Sequence, residues 1–524
     1  MRIGMSGAVI AMLVGPQVAT GQTFVTPEPV LESIWREGME RSDLPRLAQA
    51  LTDSVGPRLN ASPEHLAGNN WLIAQYRSWG IEAANQPYGT WRRWRRGVSH
   101  IDLLEPRVRS LEGMLLAWSP GTRRPVTAGV VTVPNFRTQA EFTAWLPQVR
   151  GRFVAVSFPQ PTCRPDANWQ QYATPPSYER MRAERSRAAA AWDSSLAATG
   201  FTGADLHRRL EQAGAAGILT SNWPNAWGVT RIFNGRTERI PTVDLSCEDY
   251  GLVARLAQNG QSPRLRINAE AEWLGEVPVF NTVAQVRGSE LPNEYVMLSA
   301  HFDSWDGASG ATDNATGTVI MMEALRILRQ VYPNPRRTIL VGHWGGEEQG
   351  LNGSRAFVAD NPQIVEGMQA FFNQDNGTGR VVNISMQGFT QAGSHFGRWL
   401  SMIPREITQP IQLDLPGSPG AGGTDHAAFV CAGAPAFNLS GLSWDYSPYT
   451  WHTNRDTFDK IVFDDLRSNA VLVAMLVYLA SEDTERVSRE RRTVFPTSTF
   501  TGQQSSWPEC QPAARSWGES ARVR

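Results

Sequence analysis

From Val279 onward the chain alternates short apolar runs with helix-patterned segments: "VFNTVAQVRG" (Val279–Gly288), "YVMLSA" (Tyr295–Ala300), "GTVIMMEALRILRQV" (Gly317–Val331), "RTILVGHW" (Arg337–Trp344), then a helical stretch near Ser354–Asp360. This pattern constrains the fold more than any other feature. The short runs are nearly continuous in apolar residues, as expected of strands buried on both faces. Strands separated by helices at this spacing form parallel pairs, because the crossover helix packs back on the sheet. The expected class is α/β, a mostly parallel sheet covered by helices on both faces. In such sheets ligand chemistry gathers at the carboxyl ends of the strands.

Those ends carry an unusual load of acid. "HFDSWDGASGATDN" (His301–Asn314) follows one strand, and "GGEEQGLNGS" (Gly345–Ser354) follows another. Asp375 closes the run "MQAFFNQD", and His452 stands in "YTWHTNRDTFDK" before the last long helix. Singly, each has a bland reading: Asp313 in "DNATG" can be a helix N-cap and nothing more, and a lone strand-end His or Asp is usually solvated. His301 and Asp303, two apart, share a face if the strand continues through them. Glu347 and Glu348, adjacent at a strand end, repel each other unless a cation sits between them. Taken together, imidazoles and carboxylates at successive strand termini suit zinc, and one carboxylate can bridge two ions about 3.5–4 Å apart. The negative charge is there to hold metal.

The remainder of the chain sets limits. Its 524 residues, 41% hydrophobic, exceed one ordinary domain. Forty-nine basic against 50 acidic residues argue against nucleic acid or an anionic membrane as the main partner. The local run "WRRWRRG" (Trp91–Gly97) reads as an exposed strand with stacked guanidiniums. Arg2, the apolar "GAVIAMLVG" and the small-residue "ATGQ" form a signal peptide over residues 1–21, cleaved before Gln22, so the chain is expected to be secreted or periplasmic. That apolar run is too short to span a bilayer, and no transmembrane segment is expected. Exported chains can form disulfides, and Cys163, Cys247, Cys431 and Cys510 allow three pairings that sequence does not rank. Short strand-like runs around a long helical stretch mark residues 120–272 as an inserted, mostly-β module between two catalytic parts, 30–119 and 273–487. Its removal is expected to leave the metal ligands intact, and it is expected to cover the cleft. A polar tail fills 488–524.

The runs "SAHFDSWDGASGATDNATG", "GGEEQGLNGS", "NQDNGTG", "GGTDHAAF" and "WHTNRDTF" resemble the co-catalytic zinc exopeptidase family. "LTDSVGPRLNASPEHLAGNNWL" and "RGVSHIDLLEPR" are similar to its plasma glutamate carboxypeptidase/dipeptidase group, and the insert resembles a protease-associated domain. The resemblance covers about residues 35 to 485. It implies a zinc exopeptidase (phosphorylase/hydrolase-like) fold and two Zn2+ per chain. By position, Asp313 would bridge both ions, with His301 and Asp375 completing one site and Glu348 and His452 the other. Asp303 would orient His301 through its other ring nitrogen, and Glu347 would be the general base. Asp425 would support the site. Some relatives carry a tyrosine directly before the last metal histidine; here that residue is Trp451, and Tyr449 is the candidate for a supporting role. The implied activity is hydrolysis of terminal peptide bonds or dipeptides, of carboxypeptidase or dipeptidase type. A zinc aminopeptidase is the alternative, and a non-catalytic scaffold of the same fold the remote one, although no ligand position is substituted as a scaffold would show. Small peptides are the expected partners, with a homodimer left open.

Overall fold

The computed structural model describes residues 26–201, 203–375, 377–495, 497, 504 and 506–523. The expected signal peptide lies outside the described residues. Four parallel strands make the centre of the sheet, in the order Ala436–Gly441, Met368–Asn373, Leu291–His301 and Arg337–Trp344. Arg264–Val286 joins antiparallel beyond the last of these. Helices cover the sheet as the alternation predicts. Thr316–Val331 and Phe463–Glu482 pack together, and residues from Leu466 to Leu479 are buried along almost the whole circumference of the second. A helix apolar all round must sit inside a core, and no helix among the described residues is long and apolar enough to cross a membrane.

Two long strands extend this sheet. Glu82–Glu105 pairs antiparallel with Arg264–Val286 along nearly its whole length. In "WRRWRRG" the expectation of an exposed strand fails for the tryptophans: Trp91 and Trp94 are 0% and 1% exposed, turned into a second core, while Arg95 points out to Glu272. The guanidiniums do stack, Arg96 over the Trp94 ring and Arg92 over Trp273.

Past that strand pair the chain builds a second set of strands, Val126–Thr132, Phe153–Ala155, Gly217–Thr220 and Thr242–Leu245, parallel to one another and joined to Arg264–Val286 by its first residues. The region is not mostly β. Helices at Gln139–Trp145, Pro175–Ala198, Gly203–Gln212 and Cys247–Gln258 interleave with strands of three to seven residues. Runs that short show no alternation of their own, and the helices that cover them carry the amphipathic pattern.

Disulfides join Cys163 to Cys247 and Cys431 to Cys510. The second staples the C-terminal segment to the body. Arg515 forks onto Asp360, its carbonyl accepts from Thr90 N, Ala514 N donates to Asn352 Oδ1, and the segment ends in a helix at Trp517–Val523. The polar tail is thus a strap across the catalytic part.

Candidate metal centre

The parallel strands deliver their ends to one place. His301 closes its strand, and the next residue, Phe302, donates its N–H to Trp344 O at the end of the neighbouring strand. The turn after Trp344 carries Glu347 and Glu348, and Gln374 N, donating to Ser299 O, brings Asp375 alongside. His301 is 1% exposed. Its Nδ1 lies 2.9 Å from Asp303 O, a carbonyl that can only accept, so Nδ1 carries the proton. Nε2 faces Asp375 Oδ1 at 3.1 Å and Asp313 Oδ1 at 3.2 Å, and against the cost of burial the carboxylates of Asp375, Glu347 and Asp313 hold this imidazole well above its ordinary range. On the far side, His452 Nε2 faces Glu348 Oε2 at 2.9 Å and Asp313 Oδ2 at 3.3 Å. Asp313 therefore offers one oxygen to each imidazole.

His301, Asp313 and Asp375 present ligand atoms within 4.8 Å of one another, and so do Asp313, Glu348 and His452. Glu348 Oε1 is buried without a hydrogen-bond partner among the described residues. Several carboxylates crowded into one buried site call for cations, and two imidazoles with three carboxylates are a zinc-type donor set. The electrostatics agree. Burial, with Asp375, Asp425 and Glu348 adding to it against His301, pushes the Glu347 carboxyl well above its ordinary range. Burial and the neighbouring Asp313, Asp303 and Asp375 do the same to Glu348. Burial takes the His452 imidazole down to about 4, leaving it neutral as a metal ligand must be.

The other expected residues divide. Asp303 is fully buried, but its carboxylate stands 3.9 Å from His301 Nδ1; its backbone carbonyl orients that ring. The carboxylate instead accepts from Glu347 N and Glu348 N. Asp425 is fully buried near Glu347, and burial raises its carboxyl to about 7. Tyr449 is 36% exposed, whereas the hydroxyl of Tyr446 hydrogen-bonds to Asp313.

Sequence reading missed three supports. Asp456, in the same "WHTNRDTF" run, accepts from Thr312 N at 2.7 Å and Asp313 N at 3.0 Å, fixing the shared carboxylate from behind. Arg58 is fully buried under the 302–310 loop and donates to the carbonyls of Phe302, Ser309 and Gly310. It brings positive charge close to Asp456, Asp303 and Asp313, its own pKa lowered to about 10 by burial. The third support is the insert. Ile232 N donates to His452 O at 2.7 Å, Thr230 exchanges bonds with Asn454, and Arg231 Nη2 donates to Ser447 O. His452 has a φ of 60°, a conformation costly for a side chain of its size and held here by that contact. The insert is therefore tied to the loop that carries His452.

Residues 281–477 match Peptidase family M28. Carboxypeptidase Q of Homo sapiens is 24% identical over 441 residues, covering 84% of this chain and 85% of that protein. The solved peptidase M28 precursor from Shewanella amazonensis superposes with a TM-score of 0.64 at 22% identity, over 88% of this chain and 98% of its own. A zinc aminopeptidase from Bacillus subtilis shares the fold with a TM-score of 0.56 at 18% identity, over 85% and 96% of the two chains. With its ligand-type residues gathered in one buried cluster, the segment 281–477 is a Peptidase family M28 domain, and the protein is a zinc metallopeptidase.

Proposed function

We propose that the protein is a dinuclear zinc exopeptidase of carboxypeptidase or dipeptidase type. The observation that carries the reading is the Asp313 carboxylate, with Oδ1 turned to His301 and Oδ2 to His452. His301 and Asp375 would complete one site, Glu348 and His452 the other. Zinc held there supplies Lewis acidity to the scissile carbonyl and makes water a stronger acid. The chain's own residues do the rest. Glu347 accepts a proton from the attacking water as its oxygen bonds to the carbonyl carbon. It delivers that proton to the leaving nitrogen as the C–N bond breaks. Asp303 holds the backbone of that base, and Asp456 and Arg58 hold the loop that presents Asp313.

The similarity to carboxypeptidase Q spans the insert as well as the metal-binding part, and it supports the carboxypeptidase-type reading. Residues 120–272 are read as a module that covers the cleft. Two disulfides and the same similarity support a secreted or lumenal location. Metal analysis of the purified protein, paired with hydrolysis of a small dipeptide panel, tests the proposal. Two zinc ions per chain and activity lost to a chelator and regained with zinc are expected; full activity without metal, or one ion at saturation, rules the dinuclear site out.

A further inference from the structure

Beside the metal centre lies a cavity of about 830 Å³ that the ligand set does not use. This falls within the range of about 300–1,000 Å³ typical of small-ligand sites. Its walls include the long strand pair with Trp91, Arg92 and Trp273, the start of the helix Gly203–Gln212 with Asp205 and Arg208, the insert loop from Asn234 to Glu238, and the C-terminal helix with Trp517. Its position follows from the neighbours of the metal ligands. Gln349, immediately after Glu348, lines the cavity, and Asn234 follows Phe233, whose ring lies 5.2 Å from that of His452. Trp305 contacts both His452 and Trp118 at 5.9 Å, and Trp118 lines the cavity.

The walls are chemically distinctive. The Trp118 and Trp517 rings stand 5.2 Å apart, and Trp517 meets Trp91 edge to face at 5.8 Å. Trp273 is 42% exposed. It stands at a register shift in the strand pair, where Gly275 takes a φ of 85°. A bulge of this kind re-aims a side chain next to a functional site. Arg236 is half-buried in the insert wall, near Arg208, and forms no ion pair with a carboxylate among the described residues. It stands three positions after Phe233, so it lies within roughly 11 Å of that residue along the chain. Gln349 is 6% exposed, and both its amide oxygen and its amide nitrogen lack a hydrogen-bond partner among the described residues. A buried amide with neither group satisfied calls for a polar partner, from a ligand or from water.

We propose that this cavity receives the carboxyl-terminal residue of the peptide, an aromatic residue whose ring packs between Trp273 and Trp517, whose carboxylate pairs with Arg236, and whose backbone amide meets Gln349. The inference rests on the carboxypeptidase-type reading, and it makes the C-terminal strap a determinant of specificity. Asp205 (paired with Arg208), Glu238 and Glu276 also line the cavity, and the two glutamates are the groups a free ammonium would choose.

Binding and turnover test it separately. N-acetyl-phenylalanine, N-acetyl-phenylalanine amide, N-acetyl-alanine and phenylalanine amide are titrated against the zinc-loaded protein by tryptophan fluorescence. N-acetyl-phenylalanine should bind at least about tenfold more tightly than its amide or the alanine compound. Arg236→Ala should erase the preference for the carboxylate. Trp517→Ala, and independently the exposed-site variant Trp273→Ala, should erase the preference for the ring. In dipeptide hydrolysis, kcat/KM for Ala-Phe should fall about tenfold more than for Ala-Ala in either tryptophan variant. Equal binding of the acid and its amide, tighter binding of phenylalanine amide, or unchanged ring preference in both folded tryptophan variants overturns the proposal. Absence of any peptide hydrolysis with the binding preferences intact would instead overturn the peptidase type and leave the subsite standing.

Discussion

The carboxylate of Asp303 accepts a hydrogen bond from each of two consecutive backbone amides, Oδ1 from Glu347 N at 3.0 Å and Oδ2 from Glu348 N at 3.3 Å. One buried side chain thus sets the backbone of the proposed base and of a proposed ligand together. Its own carbonyl, meanwhile, orients His301. The two jobs separate chemically, because a substitution at the side chain leaves the carbonyl in place. Asp303→Asn would turn an amide N–H₂ toward one of the two N–H groups and lose that bond. Loss of such an outer contact typically costs about 10–100-fold in activity or metal affinity. The expected outcome is a fall of that size in kcat with the ion at His301 retained. A variant that loses the His301 ion first would show that the carboxylate, and not the carbonyl, holds that ring.

The adjacent glutamates should respond differently to removal of charge. Glu347→Gln is expected to keep both zinc ions and the wild-type melting temperature while turnover falls about 10²–10⁴-fold. Glu348→Gln removes a carboxylate 2.9 Å from His452 Nε2. It should weaken zinc at that half of the site, with part of the activity returning as zinc is added. Zinc content and turnover measured together in both variants decide the matter. If Glu347→Gln sheds an ion while Glu348→Gln retains both, the roles are exchanged.

Arg58 offers a test of the scaffold under the site. Its guanidinium is fully buried and reaches carbonyls as far away as Gly310, 252 residues along the chain. A lysine ammonium lacks the planar fork needed to serve Phe302, Ser309 and Gly310 at once. Each buried carbonyl left unpaired costs about 1–3 kcal/mol. Arg58→Lys should therefore lower stability by about 3 kcal/mol or more and weaken zinc binding with it. Melting and zinc titration check this together, and a wild-type melting temperature would show the carbonyl bonds to be dispensable.

What the sequence made legible and what it hid follow from range. The strand–helix alternation after Val279 is local, so the α/β class could be read, and His301, Glu348 and Asp375 lie at or just past predictable strand ends. Arg58 looks like a turn residue in "GPRLN" because every carbonyl that explains it beyond Gly56 belongs to the distant 302–310 loop. Asp456 sits in a run already singled out, but its partners, Thr312 N and Asp313 N, are backbone groups with no sequence signature. Tyr446 and Tyr449 differ only in which way a four-residue helix turns them, and spacing cannot decide that. The helices of the insert were under-read because its strands are too short to set a period.

A pH prediction can be made away from the metal centre, where cations do not complicate it. Asp244 is fully buried in the insert; its Oδ1 accepts from Thr220 Oγ1 at 2.8 Å, Asn222 N at 2.8 Å and Asn222 Nδ2 at 2.9 Å, and its Oδ2 has no hydrogen-bond partner among the described residues. Burial pushes this carboxyl up from 3.8 to about 7 against those three bonds. The folded state therefore holds a proton that the unfolded chain releases. The associated stability is fully present below about pH 3.8 and declines as pH rises to about 7, beyond which the loss is constant. Asp244→Asn keeps an oxygen for the three donors and has no proton to lose. At about 1.4 kcal/mol per unit, the stability of the variant relative to wild type should rise by roughly 2–3 kcal/mol between pH 5 and pH 8 and change little from pH 8 to pH 9. Denaturant unfolding of both proteins at the three pH values measures it. A difference between them that stays the same from pH 5 to pH 8 would mean that Asp244 is ionised throughout, its three donors outweighing the cost of burial.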